Sequence, residues 1–301
     1  MAEAMMSLSI DDVRAMLAAR PAPEGPRDVA AMRDSMATTT DAMRPHEAVA
    51  ITETSLGGVR GLHFKLEAAK PGRALLYFHG GGYVIGSPGT HKGLTSHIAE
   101  AMGAEAWSMD YRMAPEAPFP AAIEDGAAAY RALLESGVSP DSVVIAGDSA
   151  GGGTAVATAI KARDEGLPAA AGLALLSPWV NLSCDGWSYS ARAEADPMIE
   201  QEGIEWMAAT YLAGADAAEP LASPIHADLS GLPAMLIQVG PDEMLLSDSI
   251  TLAERAGAAQ VEVTLEIWPN MIHVFQAFYP FLPDARRAVA RIGDWSAART
   301  D

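Results

Sequence analysis

Gly147-Asp-Ser-Ala-Gly-Gly-Gly153 is the stretch that decides the fold. The short apolar run Ser142–Ala146 before it predicts a strand, and Ala150–Glu165 after it predicts a helix. G-x-S-x-G between a strand and a helix is typical of a nucleophile elbow, a sharp turn that exposes the serine at the carboxyl end of the strand. The flanking glycines let neighbouring backbones approach closely. The stretch therefore predicts Ser149 as a nucleophile. No lysine follows the glycines directly, which argues against a phosphate-binding turn.

Apolar runs and helical patterns alternate along most of the chain. Val49–Leu56 and Val59–Leu66 flank Gly57-Gly58 and predict a hairpin. Short strands alternating with helices indicate an α/β fold with a mostly parallel sheet covered on both faces. The further strands are predicted at Ala74–Phe78, Ala104–Met109, Gly172–Leu176, Ala234–Val239 and Val261–Ile267. The further helices are predicted at His91–Met102, Ala121–Ser136, Leu246–Gly257 and Pro283–Arg299.

Two segments fall outside this alternation. Residues 1–45 predict two helices. The first begins at a capping box, Ser9–Asp12, and runs through Arg20, and the second covers Val29–Met43. Residues 181–226 lie between two predicted strands, are rich in Trp, Tyr and Met, and predict a helical lid.

Composition excludes several classes of protein. The formal net charge is −19, whereas a nucleic-acid binder needs a basic surface. A single cysteine, Cys184, excludes a disulfide framework, and no apolar run is long enough for a membrane span. The first residues lack a basic region followed by an apolar one, so we expect no signal peptide and a cytoplasmic protein. Neither metal-ligand spacing nor a dinucleotide-binding glycine motif occurs, so we expect no metal and no cofactor.

His79-Gly-Gly-Gly82 follows the predicted strand Ala74–Phe78. Three glycines place bare backbone N–H groups where they can stabilise the oxyanion of a tetrahedral intermediate, each contributing roughly 3 kcal/mol. We predict Gly81 and Gly82 as donors, with Ala150 as the third, and a structural role for His79.

Four motifs in series resemble the bacterial hormone-sensitive-lipase family of esterases. They are His79-Gly-Gly-Gly-Tyr-Val-Ile-Gly-Ser87, Asp110-Tyr-Arg-Met-Ala-Pro-Glu116, Phe119-Pro-Ala-Ala122 and Gly147-Asp-Ser-Ala-Gly-Gly152. The resemblance implies an α/β-hydrolase core with a helical cap. It divides the chain into residues 1–45 and 181–226 as the two parts of the cap, and residues 46–180 and 227–301 as the two parts of the core.

The base and the acid follow from chain order, which in this fold is Ser, acid, His. His273 comes after the last predicted strand and is the only histidine beyond residue 226. The acid must come from the loop after Ala234–Val239, which offers Asp242, Glu243 and Asp248. Counting back from His273 without a gap lays Glu243-Met-Leu245 on the Asp-Pro-Leu signature of the family. We therefore favour Glu243, keep Asp242 as the alternative, and expect Asp248 to cap the following helix.

These residues predict a carboxylesterase for short- and medium-chain esters that works through an acyl-enzyme. Lactonase or aryl-amide hydrolase activity on the same machinery is the alternative, and a non-catalytic ligand-binding protein is a remote one. We expect Tyr83, Trp206, Met207 and Tyr211 to line the substrate pocket. A histidine base also predicts that activity falls on the acid side near ~6.5. The sequence leaves a homodimer open.

Overall fold

The computed structural model describes residues 7–19, 27–70 and 72–300. Its centre is an eight-stranded sheet in the order β1-β2-β4-β3-β5-β6-β7-β8. The strands from β3 to β8 run parallel to one another, and β1 and β2 form an antiparallel hairpin at one edge. The strands are β1 Val49–Leu56, β2 Val59–Leu66, β3 Ala74–Phe78, β4 Glu105–Met109, β5 Val143–Asp148, β6 Gly172–Leu176, β7 Met235–Val239 and β8 Val263–Ile267. The predicted α/β sheet is confirmed, with some strand ends displaced by one or two residues.

Burial explains why the strands differ in sequence. Every residue of β3, β5, β6 and β7 is buried, as expected for central parallel strands with both faces covered. In the edge strand β1, by contrast, only Val49 is buried and four of the eight residues are exposed, as expected for a strand with a neighbour on one side only. The hairpin turns at Gly57 and Gly58, whose φ angles of 59° and 83° suit glycine.

Helices cover the two faces of the sheet. Helices α3 and α9 pack on one face, and α4, α5 and α8 on the other. Successive residues of β3 alternate between these two layers, Leu75 facing α3 and α9 and Leu76 facing α4 and α5. The helices of the core are α3 Lys92–Met102, α4 Ala121–Glu135, α5 Ala150–Asp164, α8 Leu246–Ala258 and α9 Pro283–Thr300. In the described part of the chain, no helix is both long and apolar enough to cross a membrane.

The segments outside the alternating pattern are helical. The predicted capping box is present at the start of α1 (Ile10–Ala18), where Ser9 and Asp12 bond to each other's backbone amides. The predicted end at Arg20 lies outside the described residues. The second N-terminal helix, α2 (Val29–Thr40), ends three residues before the predicted Met43. Between β6 and β7, the insertion forms α6 (Trp187–Ala191) and α7 (Gln201–Leu212).

Helix α1 packs beside the carboxyl edge of the sheet. Its Val13 and Leu17 are buried in a cluster with Met271, Ile272 and Phe275, which flank His273 in sequence. The N-terminal segment is therefore in contact with the loop that carries the predicted base. The division of the chain into core and cap segments at residues 45, 180 and 226 stays a prediction.

Gly293 allows α9 to approach α3 closely. A Cβ atom at Gly293 would overlap the carbonyl oxygen of Ala101. We expect Gly293→Ala to lower the free energy of unfolding by about 1–3 kcal/mol, the usual cost of overpacking. Gly257→Ala in α8 is the matched control, because nothing lies within 4 Å of its added Cβ. We expect this control to leave stability unchanged or raise it by up to about 1 kcal/mol. Urea denaturation measures both, and equal effects would contradict the close-approach interpretation.

Candidate active site

Ser149 occupies a strained turn between β5 and α5. Its φ of 53° and ψ of −122° are unusual for a residue with a side chain. The Ser149 amide donates to Leu176 O at 2.9 Å, and its carbonyl accepts from Trp179 N at 2.9 Å. A Cβ atom at Gly151 would overlap the carbonyl oxygen of Phe78, so the turn needs this glycine. The backbone is therefore held on both sides, and the Ser149 side chain remains partly exposed.

Glu243 and His273 form a buried pair. His273 Nδ1 lies 2.7 Å from Glu243 Oε2, and Glu243 has no exposed surface. The other carboxylate oxygen, Oε1, accepts from Gly240 N at 2.7 Å and from Ser177 Oγ at 2.8 Å. Three hydrogen bonds thus hold a carboxylate that water does not reach. Because a carboxylate accepts hydrogen bonds, Nδ1 of His273 carries a proton and Nε2 is the nitrogen left to act as a base.

Several contacts place His273 on the same side of the sheet as Ser149. Ser149 N bonds to Leu176, and the next residue, Ser177, accepts at its Oγ from Val274 N at 3.1 Å. The charge of Asp148, which precedes Ser149, also acts on His273. The nucleophile and the base predicted from chain order therefore share the carboxyl edge of the sheet.

The pKa of His273 lies above its ordinary value. Burial acts to lower it, but the hydrogen bond to Glu243 and the charges of Glu243, Asp196 and Asp148 raise it by more. The predicted acid limb near ~6.5 assumed an unperturbed histidine. The raised pKa moves the expected limb to higher pH.

Asp242 points away from His273. Its carboxylate forms an ion pair of 2.6 Å with Arg14 of α1. Arg14 also donates to Ala195 O in the insertion and to Asn270 O in the loop that carries His273. Of the two carboxylates that the sequence left open, only Glu243 contacts the imidazole.

Asp248 does not cap a helix, so that expectation is wrong. It lies inside α8, whose N-cap is Leu245, and its Oδ2 accepts from Val180 N and Asn181 N at 3.1 and 3.0 Å. Burial raises the pKa of Asp248 to about 8, although the two amides act in the opposite direction. The side chain thus fixes the start of the insertion onto α8. Chain order could not reveal this because both partners are remote in sequence.

The glycine loop after β3 carries the predicted oxyanion donors. Gly81 and Gly82 have φ angles of 118° and 62°. The carbonyl of Gly81 accepts from Val84 N and Ile85 N, which closes the loop on itself. Within the described residues, the amides of Gly81, Gly82 and Ala150 donate to no protein acceptor. All three N–H groups are therefore available to a ligand.

The predicted pocket residues divide into two pairs. Tyr83 and Tyr211 are fully buried and stack on each other with ring centroids 3.9 Å apart. Trp206 and Met207 of α7 are only partly buried. A Cβ atom at Gly82 would overlap Met207 Sδ, so Met207 lies directly against one of the two glycines predicted as oxyanion donors. Trp206 instead lies beneath the guanidinium of Arg27.

The sequence interpretation missed Ser177 and Asp196. Ser177 directly follows β6, and a polar residue at the carboxyl end of a parallel strand was a usable signal. Asp196 accepts from Met244 N at 2.9 Å and from Met198 N at 2.8 Å, inside the insertion. No local sequence pattern indicates these contacts of Asp196. Among the described residues, no group of three His, Cys, Asp or Glu side chains could hold a metal ion.

Comparisons with known proteins agree with this geometry. Residues 75–277 match a family model described as the alpha/beta hydrolase fold. An acetyl-hydrolase from Streptomyces hygroscopicus is 47% identical over 226 residues, which are 75% of this chain and 76% of that protein. An esterase from Acinetobacter venetianus is 33% identical over 83% of this chain and 82% of its own.

Solved structures extend the likeness to nearly the whole chain. A hormone-sensitive lipase from a metagenome library superposes with a TM-score of 0.95 at 45% identity, covering 98% of this chain and 100% of that one. An esterase/lipase from an uncultured bacterium gives 0.93 at 44% identity, covering 97% and 98%. With the parallel sheet, the strained serine turn and the buried Glu243–His273 pair, these matches show that the chain belongs to the hormone-sensitive-lipase family of the alpha/beta hydrolase fold.

Proposed function

We propose that this protein is a carboxylesterase that cleaves short- and medium-chain esters with Ser149, His273 and Glu243. The observation that carries the proposal is the buried 2.7 Å contact between His273 Nδ1 and Glu243, at the sheet edge where Ser149 is exposed. Relatives named acetyl-hydrolase, esterase and carboxylesterase support the reaction class.

The reaction follows from what each group can donate or accept. His273 Nε2 takes the hydroxyl proton of Ser149 as Oγ attacks the ester carbonyl. The amides of Gly81, Gly82 and Ala150 stabilise the oxyanion because no described residue competes for them. His273 then protonates the departing alcohol, and water activated by the same imidazole releases the acid. Glu243 holds the tautomer and stabilises the imidazolium.

The insertion supports the proposed substrate size. Met207 lies against Gly82, so we expect a side chain of α7 to limit the space beside the reacting carbon. The neighbouring residue Tyr83 stacks on Tyr211 of the same helix and ties α7 to the glycine loop. A relative of 44% identity was soaked as crystals with p-nitrophenyl butyrate, an ester of the proposed size.

An ester series tests the proposal directly. We expect p-nitrophenyl esters from acetate to about octanoate to be turned over, and palmitate to be poor, because a capped site does not accommodate a long chain. Ser149→Ala is the control and should lose both turnover and labelling by a fluorophosphonate while keeping its thermal unfolding. Faster palmitate hydrolysis contradicts the substrate size, and turnover above a hundredth of wild type in Ser149→Ala contradicts the nucleophile.

The two neighbouring carboxylates provide a matched pair for the acid. We expect Glu243→Gln to lower kcat by orders of magnitude, because an amide can leave His273 in the wrong tautomer. Asp242→Asn should lower kcat less than about tenfold, since its partner is Arg14 and not His273. Steady-state kinetics on p-nitrophenyl butyrate distinguishes them. The reverse ranking would assign the acid to Asp242.

The raised pKa of His273 fixes the direction of the pH dependence. A protonated imidazole cannot accept the serine proton, so kcat/KM should fall as the pH drops through the pKa of His273, above the ordinary ~6.5. In Glu243→Gln the main group that raises this pKa is gone, so the limb of the residual activity should move to lower pH. A limb that stays at the same pH in both proteins would contradict a His273–Glu243 origin.

The cytoplasmic location stays a prediction. Light scattering on the purified protein measures whether it forms the homodimer that the sequence leaves open.

A further inference from the structure

A cluster of buried polar side chains lies beneath the glycine loop after β3, and none of its members has a role in the proposed reaction. Its centre is the pair Asp148 and His91, with Oδ2 and Nε2 3.3 Å apart and both side chains buried. Asp148 directly precedes Ser149, and His91 directly precedes α3. The pair thus connects the nucleophile turn to the end of the glycine loop.

Asp148 holds the glycine loop by its backbone. Its Oδ1 accepts from Gly80 N at 3.1 Å and from the hydroxyl of Tyr77 at 2.6 Å. Gly80 is the residue before the predicted oxyanion donor Gly81. A Cβ atom at Gly80 would overlap Asp148 Oδ2, so carboxylate and loop are in close contact. The direction of the Gly80 amide is therefore set by where the carboxylate lies.

The hydrogen bonds around His91 favour protons on both of its ring nitrogens. Thr90 Oγ1 donates to Ser87 O at 2.8 Å and accepts from Ser87 N at 2.9 Å. With its proton on Ser87 O, Thr90 Oγ1 accepts from His91 Nδ1 at 2.8 Å, and Ser87 O, which can only accept, lies 3.3 Å from the same nitrogen. Nε2 faces the carboxylate of Asp148, which also only accepts. We propose that His91 is a buried imidazolium and a positioning residue, which holds the Asp148 carboxylate and through it the Gly80 amide, so that the amides of the oxyanion loop keep their direction.

The charges of the neighbouring groups agree with this assignment. Burial acts to lower the pKa of His91, but the charge of Asp148 and its hydrogen bond raise the pKa by more. The ring of His79, 5.5 Å away, is the other titratable group beside it. Burial and the charge of His91 lower the pKa of His79 to about 3, so His79 stays neutral. Burial raises the pKa of Tyr77 and of Tyr111, which stacks on His79, so both phenols stay neutral as well.

The pair has a consequence for the reaction, and this step rests on the proposed function. Without the positive charge, a buried Asp148 carboxylate loses its charged partner and is strongly destabilised. It then protonates or moves, and the Gly80 amide loses its fixed acceptor. Displacing oxyanion amides weakens transition-state stabilisation more than substrate binding. A loss of charge on His91 should therefore lower kcat and leave KM nearly unchanged.

Ring-nitrogen NMR tests the charge itself without any reference to activity. In protein labelled with ¹⁵N, the ring resonances that disappear in His91→Gln should show the imidazolium signature at pH 7.5. The Thr90→Val variant, which removes the nearer of the two acceptors at Nδ1, should shift the titration of that ring to lower pH. A neutral-ring signature at pH 7.5 overturns the proposal, whatever the enzyme kinetics show.

Kinetics then tests the positioning role. Gln can still donate to Asp148 but cannot carry a charge, so we expect His91→Gln to lower kcat by about tenfold to a hundredfold with KM within about twofold. In the wild type, kcat on the alkaline side should fall at the pH where the His91 ring loses its proton. The matched control is His63→Gln, which removes another histidine–carboxylate pair, with Glu105 at 2.8 Å, on β2 and β4. We expect that control to leave kcat unchanged.

The outcomes separate this proposal from the proposed function. An unchanged kcat in His91→Gln, or a ring that titrates with no change in kcat, overturns the positioning role while Ser149→Ala still defines the nucleophile. If His91→Gln fails to fold, Thr90→Val replaces it in the test. In that variant, we expect both the loss of the His91 ring proton and the alkaline fall of kcat to move to lower pH. An inactive wild type with an imidazolium at His91 contradicts the proposed function and not the charge.

Discussion

The structure of the site depends on one buried carboxylate. Glu243 has no contact with water, so both of its carboxylate oxygens must find donors inside the protein. Those donors come from three different segments: Ser177 after β6, Gly240 after β7 and His273 after β8. Removing any donor leaves a buried charge less satisfied, and each donor is in place only if its own strand is in register. The carboxylate therefore couples the assembly of three strands of the sheet to the position of the imidazole.

Parallel strands explain why these groups meet at all. The strands from β5 to β8 are neighbours and run in the same direction, so their carboxyl ends lie along one edge. Ser149, Ser177, Glu243 and His273 each follow the end of one of these strands. The antiparallel hairpin of β1 and β2 contributes no residue to the candidate site, because it lies at the far edge of the sheet. The contacts between these strand-end loops join residues 30 to 97 positions apart in sequence, which become neighbours through strand order alone.

Sequence reasoning located the structural elements that follow from local pattern and chain order, and the catalytic roles of their residues stay predictions. The strand, turn and helix around Ser149, the glycine loop after β3, and the position of His273 after the last strand are all such features, and the contact between Glu243 and His273 agrees with the favoured acid. It failed for Asp248, whose position at a predicted helix start suggested a cap although its partners lie some seventy residues away. It also missed Ser177 and the pair of His91 with Asp148. These side chains act through contacts between elements remote in sequence, and no spacing along the chain encodes such a contact.

The orientation of the two neighbouring acids is decided from outside the core. Arg14 of α1 holds Asp242 outward, and the same guanidinium donates to Ala195 O in the insertion. The next residue of the insertion, Asp196, accepts from the amide of Met244. Glu243 therefore lies between Asp242, whose side chain is held by α1, and Met244, whose backbone amide is held by the insertion. Since consecutive side chains point in different directions, an outward Asp242 leaves Glu243 facing inward, towards His273. The helical segments outside the sheet thus also select which carboxylate reaches the imidazole, and the direction of Glu243 depends on α1 and the insertion as much as on the sheet.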